Sequence, residues 1–495
     1  MSDFTQFFGP SYTRPSANIQ IQSERTVNWR LEPIPGGREK SKFALLRQPG
    51  LKLFSNPGIG GKVRGMYSLN GHLFVVIGSH FLEIFSDGTF NDISVLSGVF
   101  VTDDGLKAWI VSNENQVFVV SGGNGYIVEG GFIHLIASPD FPQGHAAAAE
   151  YLDGFFIVTI NTVSPFTPPT PSQFMISSLN DGNLWNAADV SSVESRPDFI
   201  VAPIQLREEM WFFGSLTIQP FYDSGDTLFP IVPNQSAVIN AGCMAAQSVC
   251  RIGNTLYWLE IDETGHGTFC RNEGYAKINL SNSALESVWN TYLNLDQTYC
   301  WTYQENGHAC VRVNFPNIDG AGTSRTWEFD DLPNQWTETP YWNSVTGMEE
   351  AHRVFCSAVC FDKIIVGDRA NGKLYELNSS FFDDDGATIR RVRRTPHLYN
   401  EKRRITYNRV EFDGNAGIGT IAVPNPSCIF HISKDGGESF GNDITLYPGR
   451  AGDKNKRMFR AGCGSARDAV MELVCTDAVD WAFSAARLDF KIGTS

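Results

Sequence analysis

The sequence has 495 residues, of which 42% are hydrophobic, 12% aromatic and 19% charged, with 46 glycines and a net charge of −15. This length exceeds one ordinary core, so two or three domains are expected, and the composition indicates a strand-rich, turn-rich globular protein and excludes a disordered one. The acidic balance argues against a general DNA-binding surface, although it allows a repulsive channel through which DNA slides.

The first 44 residues are predicted to form an arm that packs on the following domain or on a neighbouring chain. They show no signal peptide, and no apolar run in the sequence approaches the length of a membrane span. The ten cysteines include no C-x-x-C pair and are absent from the first 242 residues. We therefore expect reduced, mostly buried thiols in a protein made in a cytoplasm.

A repeated pattern of a turn residue, a short apolar run and a second short strand follows the arm. Its steps of 39 to 55 residues suit propeller blades. Stacking blades in a ring buries faces that one blade leaves open. The pattern predicts a seven-bladed β-propeller whose turn-to-strand junctions are Gly71, Asn115, Gly154, Glu209, Asn254, Gly307 and Asp362.

One insertion and one helix interrupt this pattern. Residues 164–172 hold four prolines in nine positions, so they are predicted to form an exposed loop. Residues 284–293 hold the best helical segment. From residue 387 onward, alternating strands predict a small β-sandwich. The predicted fold class is all-β, with an arm (1–44), a β-propeller (45–386) and a C-terminal β-sandwich (387–495).

A basic band opens the predicted sandwich. Residues 390–409 hold eight basic residues and one acidic residue, against a net charge of −22 in the rest of the chain. The band is either a solvated strand face or an interface patch that docks on the acidic face of another copy or ring. DNA contact ranks third because the overall field is repulsive. The candidate interface residues are Arg390, Arg391, Arg393, Arg394, Lys402, Arg403 and Arg404.

The stretch SKDGGESF at 433–440 fits the Asp-box pattern that is best known from sialidases. A carboxylate can accept hydrogen bonds from the turn's own backbone, and two glycines permit positive φ angles. The aromatic ring is expected to tuck under the turn. The motif therefore predicts a hairpin whose structural residues are Ser433, Asp435, Gly436, Gly437 and Phe440.

The sequence predicts no catalytic, cofactor-binding or metal-binding residues. A sialidase needs arginines that converge from separate blades, whereas the basic band is local in sequence. The nine histidines lack H-E-x-x-H and close His/Cys spacing. The glycines at 122–125 lie between strands with no helix following, which favours a hairpin turn over a phosphate loop.

Six stretches, in their order along the chain, resemble the packaged-DNA stabilisation proteins of short-tailed bacteriophages, also called tail hub or nozzle proteins. Each motif is weakly specific alone, and their order over about 450 residues carries the resemblance. The stretches are NWRLEPIPGG at 28–37, RQPGLKLF at 47–54, NDGNLWNAADVSSVESRPDFIV at 180–201, MWFFGSLTIQPFYDSGDTLFPIV at 210–232, NAGCMAAQSVCRIGNTLYWL at 240–259, and 433–473.

The resemblance implies a non-enzymatic structural protein of the virion tail, assembled in the host cytoplasm. Such proteins form a ring, usually a hexamer, below the portal and its adaptor protein. The ring extends the DNA channel, retains packaged double-stranded DNA and conducts it at ejection. Further implied partners are a tail needle or plug and tail fibres or spikes, with no membrane. The alternative is a propeller glycan hydrolase or lectin acting on host surface polysaccharide, suggested by the Asp box and the aromatic-rich blades.

Overall fold

A computed structural model describes residues 2–3, 23–34, 42–160, 172–193, 198–261, 266–401 and 403–493. Strands dominate these residues, which contain two α-helices, α1 (Ile93–Ser97) and α2 (Ser283–Trp289). Within this part of the chain, neither helix has the length or apolar run needed to cross a membrane. All ten cysteines are free thiols, and seven of them are buried.

Five strands precede the first complete blade. They are β1 (Ser2–Asp3), β2 (Arg25–Val27), β3 (Trp29–Pro33), β4 (Phe43–Arg47) and β5 (Gly50–Ser55).

The first three blades are four-stranded antiparallel sheets that are continuous in sequence. Their strands are β6 (Val63–Leu69), β7 (His72–Ile77), β8 (His80–Ile84) and β9 (Phe90–Asp92); β10 (Trp109–Ser112), β11 (Val117–Ser121), β12 (Asn124–Glu129) and β13 (Phe132–Leu135); and β14 (Ala146–Leu152), β15 (Phe155–Ile160), β16 (Gln173–Ser178) and β17 (Asp181–Ser192).

Blades four to six repeat this arrangement. Their strands are β18 (Ile200–Leu206), β19 (Glu209–Gly214), β20 (Ile218–Asp223) and β21 (Ile231–Pro233); β22 (Cys250–Ile252), β23 (Thr255–Ile261), β24 (Gly267–Glu273) and β25 (Ala276–Asn279); and β26 (Tyr299–Glu305), β27 (His308–Phe315), β28 (Arg325–Asp330) and β29 (Gln335–Glu338).

The seventh blade closes the ring with strands from both ends of the propeller. A hairpin of β30 (Tyr341–Asn343) and β31 (Met348–Glu350) precedes β32 (Val354–Cys360), β33 (Lys363–Asp368) and β34 (Leu374–Asn378). The fourth strand is β5, which pairs with β34. The first strands of neighbouring blades contact one another at six of the seven blade junctions, including the one between β32 and β6 that closes the ring. Within the described residues the blades number seven, which confirms the predicted propeller.

The second strand of each blade is a short apolar run because its residues are buried on both faces of the sheet. Strand β11 is buried along its whole length, and β19 is buried from Met210 onward. Aromatic rings fill the space between neighbouring blades. Phe118 meets Phe156 edge-on at 5.4 Å, and Phe213 meets Trp258 in the same way at 5.4 Å. The core of the propeller therefore lies between its blades.

The C-terminal region forms the predicted β-sandwich. Its first sheet has the order β3-β4-β42-β37-β40, and its second contains β2-β35-β41-β38-β39. Trp29, Phe412, Phe430 and Trp481 lie in the core of the sandwich. The strands after the propeller are β35 (Arg391–Arg394), β36 (Leu398–Tyr399), β37 (Ile405–Gly414), β38 (Cys428–Ser433), β39 (Ile444–Leu446), β40 (Met458–Ala466), β41 (Asp468–Cys475) and β42 (Ala482–Ile492).

Strand β2 joins the propeller to the sandwich. It pairs with β29 at the outer edge of blade six and with β35 of the sandwich, so one continuous ten-stranded sheet crosses both regions. Strands β2, β3 and β4 therefore belong to the sandwich sheets, although the sequence places β2, β3 and the start of β4 in an arm and the rest of β4 in the propeller. The predicted boundaries at residues 44 and 386 stay a prediction.

Candidate functional site

Two arginines of the predicted basic band lie inside the protein. Arg391 and Arg393 are 0% and 1% exposed, because β35 is a central strand between β2 and β41. Arg393 donates to Glu24 at 2.9 Å and to Thr26 at 2.6 Å. Burial lowers the pKa of Arg391 to about 10. The prediction that these two side chains form part of a surface patch is wrong, since both are buried within the protein.

The next two arginines of the band are partly buried and paired. Arg390 donates to Glu349 at 2.7 Å, and Arg394 lies 2.6 Å from Glu472. Burial by itself would raise the pKa of Glu472, but hydrogen bonds from His431 and Arg394 and the arginine charge lower it to about 2. Arg403 and Arg404 are exposed, and Lys402 lies outside the described residues. The band is therefore not one patch.

A buried charged cluster at the propeller–sandwich junction is the main feature that sequence reasoning missed. Arg312 and Glu328 face each other across β27 and β28, with Nε 2.6 Å from the carboxylate. The hydroxyl of Tyr303 donates to Glu328 at 2.9 Å, and Gln48 donates to it at 2.6 Å. The available signal was a charge in the middle of each apolar strand, HACVRVNF and RTWEFD.

Two further groups tie the N-terminal strands to blade six. His308 lies 2.6 Å from Asp330 and 2.7 Å from Glu32. Burial opposes the charge on His308, but hydrogen bonding to both carboxylates raises its pKa overall. Arg25 lies 2.6 Å from Glu338 and 2.6 Å from Glu349. These charge-assisted contacts, together with the continuous sheet, favour a rigid junction.

The first strands of the seven blades line a central channel that contains a cavity of about 300 Å³. Lys107, Glu150 and Arg251 are among its lining residues, and the Lys107 ammonium lies 4.0 Å from the centre of the Trp109 ring. Burial raises the pKa of Glu150 to about 7, although Arg251 and Lys107 oppose the rise. Among the described residues, no group of three His, Cys, Asp or Glu side chains is placed to hold a metal ion.

The carboxylate of the Asp-box-like stretch is engaged by its own turn. Asp435 accepts hydrogen bonds from the Ser433 hydroxyl at 2.6 Å and from the Ser439 backbone N–H at 3.0 Å. The side-chain hydrogen bonds of Ser433 and Ser439 hold its pKa well below the usual range. Gly436 and Gly437 have φ angles of 74° and 96°. These hydrogen bonds and φ angles are those of a hairpin turn, as predicted for this stretch.

The ring of Phe440 packs against side chains of the sandwich. It meets His431 at 6.1 Å and lies 4.9 Å below the Arg394 guanidinium. One arginine of the basic band therefore lies against the hairpin. The predicted loop at 164–172 falls outside the described residues except for Ser172.

Replacing Gly436 by valine is expected to lower the free energy of unfolding of the sandwich by about 1–3 kcal/mol, because a β-branched residue is strained at positive φ. A Cβ there would also lie 3.1 Å from the Asp468 carboxylate. Chemical denaturation of the full chain measures the change. Gly441→Ala is the control, since Gly441 lies outside the left-handed region and has room for a Cβ. Equal stability of Gly436→Val and the native chain would contradict the strained-turn interpretation.

Comparison with protein families gives two matches, one over the propeller together with strands β2 to β4 and one over the C-terminal part of the sandwich. Residues 24–381 match the family described as bacteriophage P22 Gp10, beta-propeller. Residues 390–491 match the family described as bacteriophage P22 Gp10, beta-sandwich. No curated protein matches the chain.

Several solved structures share a broad likeness. The computationally designed Ika8 protein is 11% identical, with a TM-score of 0.38, over 66% of this chain and 100% of its own. The N-terminal domain of Nup159 is 8% identical, with a TM-score of 0.39, over 70% and 98%. The extracellular domain of BT4673 from B. thetaiotaomicron is 7% identical, with a TM-score of 0.42, over 82% and 48%.

Proposed function

Because this chain belongs to the bacteriophage P22 Gp10 family of structural tail proteins that stabilise packaged DNA, we propose that it forms the tail nozzle of a phage particle. In this proposal six copies form a ring below the portal and its adaptor. The ring extends the DNA channel, retains the packaged DNA and conducts it at ejection. A tail needle or plug and tail fibres or spikes attach to it, and assembly takes place in the host cytoplasm.

The observation that carries the proposal is the paired family match over a propeller and a sandwich that share one continuous sheet. A ring that retains DNA under pressure needs subunits that resist internal bending, and the junction supplies that resistance. Charge supports the same function. Residues 45–386 hold 38 acidic and 16 basic residues, a net charge of −22. Acidic residues along the wall of the proposed DNA channel would repel the DNA phosphates, so DNA could slide through the ring without binding tightly to it.

Among the residues that the structure describes, the Asp-box-like hairpin gives no support to the glycan hydrolase or lectin alternative. The Asp-box-like hairpin lies in the sandwich, outside the propeller, and the carboxylate of Asp435 accepts hydrogen bonds from residues of its own turn. The fold by itself does not decide between these functions, so the family match carries the choice.

Particles assembled without this protein are expected to fill with DNA and then lose it. The measurement is nuclease-protected DNA per capsid over time after packaging, with native particles and particles complemented by the native gene as controls. Retention of full genomes in its absence would contradict the proposed function.

The copy number tests the ring itself. Quantitative mass spectrometry of purified virions is expected to give half the portal's copy number. A count that matches the receptor-binding appendages would place the protein at the tail periphery instead.

A further inference from the structure

One edge of the sandwich carries a row of exposed positive charges. Strand β40 ends its sheet and pairs with β37, and its nine residues span roughly 30 Å at 3.3 Å per residue. Arg460 is exposed within the strand, and further exposed basic side chains lie on the segments that flank its two ends. We call this set the basic edge: Arg403, Arg404, Lys434, Arg450, Lys454, Lys456, Arg457, Arg460 and Arg467.

Register and contacts place basic residues near both ends of β40. Arg460 lies opposite Val410, near one end of the pairing with β37. At the other end Arg404 donates to Ser465 at 3.2 Å, and the Lys434 side chain approaches Gly464. Basic residues from separate parts of the sequence therefore meet at this edge of the sheet.

Most of these charges have no internal partner. Arg457 pairs with Glu411 at 2.5 Å, and Arg403 lies 3.6 Å from Glu401. Within the described residues, the ion pairs engage none of Lys434, Lys454, Lys456, Arg460 and Arg467. The basic edge thus differs from Arg391 and Arg393, whose charges are used inside the sandwich.

The propeller carries the complementary surface on one face. Strand direction alternates within a blade, so the turns after the first and third strands all open on the same side. Exposed acidic residues occupy or border these turns on six of the seven blades. We call this set the acidic face: Asp87, Glu114, Glu129, Asp153, Glu208, Asp226, Glu273 and Asp362.

Like charges are crowded on the acidic face. The pKa of Asp153 is raised by burial and by the neighbouring carboxylates of Asp223 and Glu208. Two basic side chains near these turns are paired within the propeller, since Arg271 lies 2.6 Å from Asp331 and Lys277 lies 2.5 Å from Glu260, whereas Arg207 is exposed beside Glu208. A positively charged partner would relieve the repulsion.

We propose that the basic edge of one copy docks on the acidic face of a second copy. The contact is heterologous, because each copy contributes a different surface, and such contacts build closed rings when the rotation closes. This contact rests on the ring proposed above, and it identifies the surfaces through which neighbouring copies in that ring would bind each other. A second copy is favoured over DNA because the matching charge is present on this chain, whereas a net charge of −15 repels nucleic acid at long range.

The test uses two charge-reversed forms of the full chain. An edge variant carries Lys456→Glu, Arg460→Glu and Arg467→Glu, and a face variant carries Glu114→Lys, Glu208→Lys and Glu273→Lys. Sedimentation velocity measures self-association at about 50 mM salt, where exposed charges are weakly screened, and at about 0.5 M salt, where they are strongly screened. Circular dichroism and the urea midpoint check that each variant remains folded.

Each variant alone is expected to self-associate at least about tenfold more weakly than the native chain at low salt, because like charges then meet. An equimolar mixture is expected to recover association, since the reversed edge fits the reversed face and the native edge of one variant fits the native face of the other. High salt should weaken the native contact. Arg460→Glu is compared with Lys52→Glu, an equal charge change at an exposed site on β5, which should have no effect.

Three outcomes would overturn the contact. One is a native chain that stays monomeric at its highest soluble concentration in low salt, which would leave the basic edge as protection against strand pairing. Another is a mixture that does not recover association. The third is an edge variant that self-associates normally but loses binding to a 30-base-pair duplex, which would assign the edge to DNA. The DNA-retention experiment distinguishes this failure from failure of the proposed function. If particles assembled without the protein lose their DNA, the proposed function stands and only the contact between copies is wrong.

Discussion

Replacing Glu328 by glutamine is expected to lower the free energy of unfolding by about 3–5 kcal/mol, because it leaves Arg312 buried and charged without a carboxylate. Both side chains of this pair are 1% exposed. The Arg312 guanidinium also lies over Trp301 and Tyr303, at 4.9 and 5.3 Å from the ring centres, so it cannot turn to solvent without disrupting the packing.

The same change is expected to loosen the sandwich on the propeller. Gln48 lies just after β4, and it donates to Glu328 at 2.6 Å. The Tyr303 hydroxyl, which donates to Glu328, also accepts a hydrogen bond from Arg30 of β3 at 3.2 Å. Urea unfolding followed by tryptophan fluorescence measures the loss. A transition that splits in two would show that the junction had carried the cooperativity between the two regions.

Acid titration gives a second measurement on this pair. Burial by itself would raise the pKa of Glu328, but Arg312, Arg30 and the hydrogen bonds to it lower the pKa overall. Its stabilising contribution is therefore complete above the unfolded pKa of about 4.3 and declines as the pH falls below it. Glu328→Gln is expected to remove this part of the acid dependence.

Lys363→Gln is the matched control for the Glu328 experiment. It breaks an ion pair of 2.7 Å with Glu376 whose side chains are 38% and 18% exposed. Such pairs contribute about 0–1 kcal/mol. Equal losses from both substitutions would show that burial does not set the strength of the junction pair, contrary to our interpretation.

Replacing Leu51 by alanine is expected to cost about 2–5 kcal/mol, because it leaves a cavity on the strand that closes the ring. Leu51 is 1% exposed, pairs with Leu377 and packs in a cluster that includes Trp301 and Tyr375. Thermal unfolding of the full chain provides the measurement. Because the substitution weakens the packing of β5 in blade seven, limited proteolysis is expected to cleave the variant in blade seven earlier than it cleaves the native chain.

Leu53→Ala on the same strand is the control, since Leu53 is 41% exposed. It is expected to change stability by no more than about 0.5 kcal/mol. If Leu51→Ala is as stable as Leu53→Ala, the seventh blade does not depend on β5 for its closure.

The blade count was predictable because the strands of a blade are neighbours in sequence. Six of the seven predicted junctions lie in turns between the first and second strands of blades, and Glu209 is the first residue of the second strand, β19. Several have the positive φ angles that such turns require, for example 80° at Gly71 and 96° at Gly154. The helix predicted at 284–293 was also found, although it begins at Ser283 and ends at Trp289.

The interface residues were predicted less well because a run of charges does not reveal whether its strand is covered. Arginine is usually a surface residue, so Arg391 and Arg393 were predicted to be exposed. Their strand, β35, instead lies between β2 and β41 and is covered. A set of exposed positive charges lies instead on Arg460 of β40 and on the segments beside this strand. In this part of the sequence the basic residues are interspersed with neutral ones, so the basic edge does not appear as a dense run of charges.

The sequence by itself determined the features that depend on local order: an all-β chain, seven repeated units, a turn at 433–440, and a family likeness carried by motifs in series. Only the tertiary structure decided the pairings between distant segments. Leu51 meets Leu377, and Val27 meets both Val392 and Glu338. The physical reason is that turn residues and apolar alternation act over a few residues. Burial, ion pairing and the faces that remain exposed are set only after the ring closes and the sandwich docks on blade six.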